Sequence, residues 1–268
     1  MTRKLTMLGT GHAMVTKCYN TCFTISQDND HFLVDAGGGN GILTQMERAN
    51  INFSSIKNMF LTHAHTDHIL GTVWVVRKIA TMMQNDKYDG DFSVFCHDEA
   101  AKILNTFCDL TLIQKHKRFI GDRIHIQVVA DGERITLREK EITFFDIGSN
   151  KTKQYGFQMI WNDNTSLVCL GDEPYRSTSE QYAKNADWLL SEAYCLYQDR
   201  EEFQPYEKHH STALDAGKLA EELHVKNLLL YHTEDKNLPK RKALYTAEAK
   251  EAYQGNVYVP DDLEVMVF

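Results

Sequence analysis

Apolar positions follow two rhythms along this chain. Short apolar or alternating runs predict strands at Lys4–Leu8, Thr21–Ser26 and Phe32–Asp35, the first of them entering a glycine turn at Gly9-Thr10-Gly11. Asp35-Ala-Gly-Gly-Gly then breaks the third strand and opens a helix over Ile42–Arg48. Ile56, Met59, Phe60 and Leu61 make the next apolar run, and Val73, Val76, Ile79 and Ala80 mark the stripe of a helix over Thr72–Met83. A strand at Asp91–Cys96 leads into a helix with Ala101, Leu104, Phe107 and Cys108 on one face and Asp98 placed to cap it.

From Arg123 onward the rhythm is that of strands, at Ile124–Val129, Arg134–Leu137, Glu141–Ile147, Tyr155–Trp161, Ser166–Leu170 and Trp188–Glu192. Three- and four-residue spacing returns in helices over Thr212–Leu223 and Arg241–Tyr253, separated by a strand at Leu228–Tyr231 and followed by strands at Val257–Val259 and Leu263–Phe268. β-rich stretches with helices inserted, given twice, predict an α/β fold: an αββα sandwich of two packed mixed β-sheets with helices outside. No repeat, linker or low-complexity segment interrupts it, so residues 1–268 read as a single domain.

Composition narrows the picture little. Of the residues, 43% are hydrophobic and 25% charged, as in an ordinary soluble globular protein. The formal charge of 29 − 37 = −8 argues against a broad nucleic-acid groove, which draws on clustered Lys and Arg. The six cysteines form no C-x-x-C pair and several sit in apolar runs, which predicts buried free thiols in a reducing, cytoplasmic setting. Cys18 and Cys22 are spaced closely enough for a metal, but with no second pair the structural reading is preferred. There is neither a signal-peptide pattern nor an apolar stretch long enough to span a membrane.

The candidate chemistry lies in Phe60–Gly71, FLTHAHTDHILG, which places His63, His65, Asp67 and His68 between an apolar run and a helix. Imidazole nitrogen and carboxylate oxygen suit zinc and other borderline ions. His63 and His65, two residues apart at a strand end, would share one face while Asp67 and His68 turn toward a second point, so two ions are expected. A lone histidine in such a loop would more often be a surface residue or a cap. His97, at a strand-to-helix junction without ligand-type neighbours, is read that way, and His125 as a face residue.

His63-Ala-His65-Thr-Asp67-His68 resembles the H-x-H-x-D-H mark of the metallo-β-lactamase-fold hydrolases, and Val34-Asp35-Ala-Gly resembles a strand end of the same family. By that resemblance Asp172, in LVCLGDEP, looks like the aspartate bridging two metals, and His232, in NLLLYHTED, like the final histidine ligand. The family's third histidine has no counterpart. Asp146, in EITFFDIGS, matches its position, and a carboxylate there would favour manganese or iron(II) over zinc. A turn-forming aspartate that binds nothing is the competing reading for Asp146. The implied cofactors are two divalent ions per chain, zinc by resemblance, with manganese or iron as alternatives.

Further segments resemble the RNase Z-like branch: MTRKLTMLGTG, DWLLSEAYC with Glu192, and Lys208-His209-His210-Ser-Thr-Ala. The resemblance implies that His210 serves as proton donor or charge stabiliser, that Asp67 aims a water as well as binding metal, and that hydroxide between the ions attacks the substrate. Helix capping by Ser211 with His210 merely exposed is the bland alternative. Bacterial and archaeal tRNA-processing members carry a long basic arm where this chain has only the short stretch Tyr155–Asp172. A small anionic phosphodiester such as a cyclic nucleotide is therefore the expected substrate, as for similar armless anti-Pycsar phage phosphodiesterases, and nucleic acid is not. Similar members imply a homodimer. The other readings are a hydrolase of a non-phosphate ester, lactone, sulfate ester or thioester, a tRNA 3′-processing endonuclease, or a sensor or binding module on a decayed hydrolase scaffold. Tyr155, Tyr194 and Trp74 are candidate pocket-shaping residues.

Overall fold

In a computed structural model that describes residues 2–268, the chain divides into two compact units. The first ends at Val129 and takes in Asp261–Phe268; the second is Ala130–Pro260. In the first, β1 (Arg3–Gly9), β2 (Cys22–Gln27), β3 (Asp30–Val34), α1 (Gly41–Arg48) and β4 (Ile56–Phe60) precede α2 (Thr66–Gln84), β5 (Phe92–Cys96), α3 (Asp98–Thr111), α4 (Gln114–Lys117) and β6 (Ile124–Val128). The second runs through β7 (Arg134–Leu137), β8 (Lys140–Asp146), β9 (Tyr155–Trp161), β10 (Ser166–Cys169), α5 (Glu180–Ala183), β11 (Trp188–Glu192), α6 (Arg200–Phe203), α7 (Ala213–Glu222), β12 (Asn227–Tyr231), α8 (Arg241–Ala249) and β13 (Asn256–Tyr258). The chain then returns to the first unit as β14 (Val265–Val267).

Each unit is built on one mixed sheet, and the two sheets share a plan. In the first, with order β14-β1-β2-β3-β4-β5-β6, the strands from β14 to β3 pair antiparallel and those from β3 to β6 parallel. In the second, with order β13-β12-β11-β10-β9-β8-β7, β13 to β10 are parallel and β10 to β7 antiparallel. Burial follows position. Interior strands such as β11 (WLLSE) are buried throughout, whereas the edge strand β7 (RITL) alternates.

Val75, Val76, Ile79 and Ala80 of α2 pack with Leu33, Met59 and Val94 of the sheet in the core of the first unit. In the second, Ala216 and Ala220 of α7 and Tyr245 of α8 pack with Val168, Leu189 and Leu228. Each fully buried Val, Ile or Leu in these layers contributes about 1.5–3 kcal/mol relative to exposure.

Two boundaries differ from expectation in ways that bear on function. Helix α2 begins at Thr66 rather than Thr72, because the His65 carbonyl already accepts from the backbone N–H groups of His68 and Ile69, both at 3.0 Å. Asp67 and His68 thus belong to the first helical turn. Helix α3 is capped not by Asp98 but by His97, whose ring Nδ1 accepts from the Ala100 N–H at 3.3 Å. This is the ordinary helix-start role assigned to that histidine.

Candidate metal centre and active site

In open sheets, ligands gather beyond the carboxyl ends of parallel strands. The first unit bears its ligand-type residues there. Asp35 follows β3, Thr62 and His63 follow β4, and Val34 pairs with Phe60 across those two strands. This register sets Asp35 against the histidine turn. Its carboxylate accepts from the Thr62 backbone N–H at 2.9 Å and hydroxyl at 2.8 Å, and lies 2.7 Å from His68 Nδ1.

These contacts settle the protons on two rings. An Asp35 carboxylate can only accept, so His68 carries its proton on Nδ1 and presents a bare Nε2, 3.3 Å from an Asp67 oxygen. The Thr62 hydroxyl, having donated to Asp35, accepts from His63 Nδ1 at 2.9 Å, which leaves His63 Nε2 bare. That atom lies 2.9 Å from His65 Nδ1. His65 Nδ1 can therefore donate its own proton to His63 Nε2 or, deprotonated, share a cation with it. The donor types, nitrogen with nitrogen at one point and nitrogen with carboxylate oxygen at the other, fit divalent ions, and the buried Asp35 and Thr62 supply the outer hydrogen bonds that such ligands need.

Helix α2 reaches this position because Gly71 has no side chain. A Cβ on it would lie 1.8 Å from the Ala36 carbonyl oxygen, and its N–H donates to the Gly37 carbonyl at 2.8 Å. The first turn of α2 is thereby drawn against the loop after β3, with Asp67 at the helix N-terminus, where the dipole favours negative charge.

In the second unit three strand ends carry the chemistry. Asp172 follows β10 through Gly171 (φ +78°), whose carbonyl accepts from the buried Tyr231 hydroxyl. Glu192 ends β11, paired with Tyr231 of β12, and His232 follows β12. His232 Nε2 lies 3.4 Å from an Asp172 oxygen. Glu192, His210 and His232 offer ligand-type atoms within 4.8 Å of one another. Glu192 Oε1 accepts from the Ser211 N–H at 2.5 Å and hydroxyl at 2.7 Å, while Oε2 stands 3.6 Å from His210 Nδ1. The His210 ring stacks on Tyr194, with centroids 4.6 Å apart and an 8° interplanar angle.

The four residues of the histidine turn thus come together within the first unit, and Asp172, His232 and His210 within the second. Asp146 is in neither set. It ends β8, and its Oδ1 accepts from the Gly148 N–H at 2.7 Å, the turn-forming role. Helix α7 is capped by Thr212 in a reciprocal capping box with Asp215, not by Ser211, which leaves Ser211 to Glu192 and His210 buried rather than merely exposed.

Asp35 and Thr62 were missed as site residues. Asp35 lies in the VDAGGG strand end, which reads as a tight turn until the β3–β4 pairing is known, and Thr62 stands directly before His63 with no ligand-type side chain to mark it. Glu192 was visible only as part of a resembling segment. Of the pocket candidates, Tyr194 stacks on His210 and Tyr155 is buried, while Trp74 lines a cavity of about 390 Å³ with Leu70, Arg77 and Phe107 in the first unit. All six cysteines are free thiols, and burial pushes those of Cys96, Cys108 and Cys195 up to about 12, which keeps them protonated. No helix among the described residues is long and apolar enough to cross a membrane.

Residues 3–258 match the family model described as anti-Pycsar protein Apyc1. A ribonuclease Z of Prochlorococcus marinus subsp. pastoris (strain CCMP1986 / NIES-2087 / MED4) is 24% identical, the alignment covering 85% of this chain and 87% of the relative. Among solved structures, the metallo-β-lactamase fold protein YhfI from Bacillus subtilis superposes with a TM-score of 0.79 at 19% identity, covering 100% of both chains. A diphosphatase from the PhnP family superposes with a TM-score of 0.75 at 18% identity, covering 100% of this chain and 98% of the other. Likeness of this extent over the whole length shows the metallo-β-lactamase fold, the fold class that the order of elements predicts.

Proposed function

The chain belongs to the anti-Pycsar protein Apyc1 family of metal-dependent hydrolases, and from that premise we propose that it is a phosphodiesterase using two divalent ions to hydrolyse a small phosphodiester such as a cyclic nucleotide. In this reading His63, His65, Asp67 and His68 of the first unit and Asp172 and His232 of the second hold the ions, and the whole chain acts as one domain. The observation that carries it is the pairing of ligand atoms, above all His63 Nε2 and His65 Nδ1 at 2.9 Å with the outer proton of His63 fixed by Thr62. When bound, the ions would supply positive charge to phosphoryl oxygens and lower the pKa of water. The histidine-rich first half suits zinc, and the carboxylates Asp67 and Asp172 leave room for manganese.

The protein's own groups divide the remaining work. Asp35 and Thr62 fix the rings of His68 and His63 so that no reorientation accompanies binding. Asp67 accepts a hydrogen bond from the attacking water and aims it. His210, once its ring carries a second proton at Nε2, would give that proton to the departing oxygen, and Glu192, held by two bonds from Ser211, faces Nδ1 and would stabilise the cationic ring. Asp146 could add a ligand through its second oxygen, since its first is committed to Gly148.

Processing of tRNA, suggested by the ribonuclease Z relatives, is the less favoured reading. Strands β9 and β10 form a close hairpin, with the Trp161 N–H donating to the Thr165 carbonyl at 3.0 Å, and no basic arm extends from it. A reducing cytoplasm suits six free thiols, and a homodimer is the assembly we favour. Assays of cyclic and linear nucleotides, with neutral and sulfate esters alongside, on protein loaded with manganese or zinc test the reading. It predicts turnover of cyclic nucleotides. Turnover of esters with none of any phosphodiester would overturn it.

A further inference from the structure

We propose that Lys151, on the loop between β8 and β9, forms with His210 a subsite for a phosphoryl oxygen of the substrate, an inference that rests on the phosphodiesterase reading above. The Lys151 ammonium lies 3.2 Å from His210 Nε2. An ammonium has three donors and no acceptor, so in the resting protein Nε2 offers its lone pair and the ring proton sits on Nδ1, facing Glu192 Oε2 at 3.6 Å. Two other sides of the imidazole are occupied: Tyr194 stacks on one face, and Glu192, held by Ser211, faces Nδ1. Lys151 is thus a cation directed at the edge of the ring proposed to serve the leaving oxygen.

Two features make this more than a chance surface contact. The loop is built to hold Lys151 in place: the Ser149 hydroxyl donates to Glu173 Oε1 at 2.7 Å and accepts from the Lys151 and Thr152 N–H groups at 3.1 and 3.3 Å. Glu173 is 3% exposed and directly follows Asp172, so the lysine is tied to the turn carrying a proposed metal ligand. In a chain of net charge −8, moreover, Lys151 makes no ion pair among the described residues, unlike Lys117, Lys184, Lys226 and Lys236. It keeps two donors for an incoming acceptor. The ligand that suits a fixed point charge beside an imidazole is a phosphoryl oxygen, since lysine binds phosphate as a point charge. A neutral ester or lactone would draw little from it.

Steady-state kinetics with a cyclic nucleotide, together with calorimetric binding of inorganic phosphate to the metal-loaded protein, test the subsite in wild type, Lys151→Met and Lys151→Arg. Lys151 is exposed, so both variants should fold. The expected result for Lys151→Met is a rise in KM and weaker phosphate binding by about ten- to a hundredfold, the range of a hydrogen bond to a charged group, with kcat little changed. Lys151→Arg should recover most of both. If the wild type turns over cyclic nucleotides and Lys151→Met leaves KM and phosphate affinity unchanged, the subsite is overturned while the phosphodiesterase reading stands. If the wild type turns over no phosphodiester yet Lys151→Met weakens phosphate binding, the oxyanion subsite holds and the reading of the reaction falls.

Discussion

The two units carry ligand-type side chains at the same structural address, the carboxyl ends of parallel strands, yet assemble them in opposite ways. The first unit places four such residues within one turn of chain, and both outer hydrogen-bond partners, Asp35 and Thr62, lie at the ends of two neighbouring strands. The second collects Asp172, Glu192 and His232 one from each of three strand ends and borrows His210 from the approach to α7. A local cluster can be wired by its own neighbours. A dispersed one depends on sheet register, so its side chains are held by groups from other strands, as Tyr231 of β12 holds the Gly171 carbonyl and Ser211 holds Glu192.

The largest effect expected from this contrast falls on the second unit. His210→Ala should lower kcat by roughly 10²–10⁴, the usual range for a general acid, with bound metal unchanged. Loss of metal in that variant would instead place His210 among the ligands. Next comes Asp35→Ala in the first unit, which removes the acceptor of three hydrogen bonds and should weaken metal binding by about 10- to 100-fold, measured by competition with a chelator. An effect on kcat alone, at saturating metal, would break the account of Asp35 as the group that orients His68.

Gly71→Ala sharpens the contrast on the stability side. The added methyl meets the Ala36 carbonyl, so the variant should lose about 1–3 kcal/mol or more, read as a lower Tm in calorimetry. A smaller effect is expected from pH. Burial chiefly, with Arg77 and Lys115 adding to it, lowers the pKa of His116, which lies 3.2 Å from the Thr81 hydroxyl. The unfolded chain, with its histidine near 6.5, then takes up the proton first. The contribution of His116 is fully present above about pH 6.5 and is lost as pH falls from there toward the lowered folded value. His116→Gln should flatten that part of a denaturation-against-pH profile. The smallest change expected is from Asp146→Asn, which keeps the turn acceptor for Gly148. Unchanged metal content would mark a structural turn, and loss of an ion would restore Asp146 as a ligand.

The same contrast explains what was legible from sequence. The grouping of His63, His65, Asp67 and His68 was expected because ligand spacing within a single turn is a local signal, and Asp172 and His232 were singled out by resemblance, each just past the end of an apolar strand. Asp35 stood in plain view, but its bond to His68 depends on the parallel pairing of β3 with β4, which no local pattern encodes. Glu192 gained its place through the register of β11 against β12 and through Ser211. Lys151 gave no signal, being one lysine in a polar loop. The order of the strands and of the longer helices was readable, whereas the four-residue helices α4, α5 and α6 are too short to show an apolar period and were not expected. The start of α2 was misplaced because its first turn carries ligand residues rather than an apolar stripe.

Metal stoichiometry tests the proposed two-metal reading most directly. Apo protein titrated with manganese or zinc, with bound metal measured after gel filtration, should take up about two ions per chain, as a two-metal hydrolase requires. Substituting either Asp67 in the first unit or Asp172 in the second should reduce that uptake. Uptake of a single ion that survives Asp172→Ala unchanged would contradict the account.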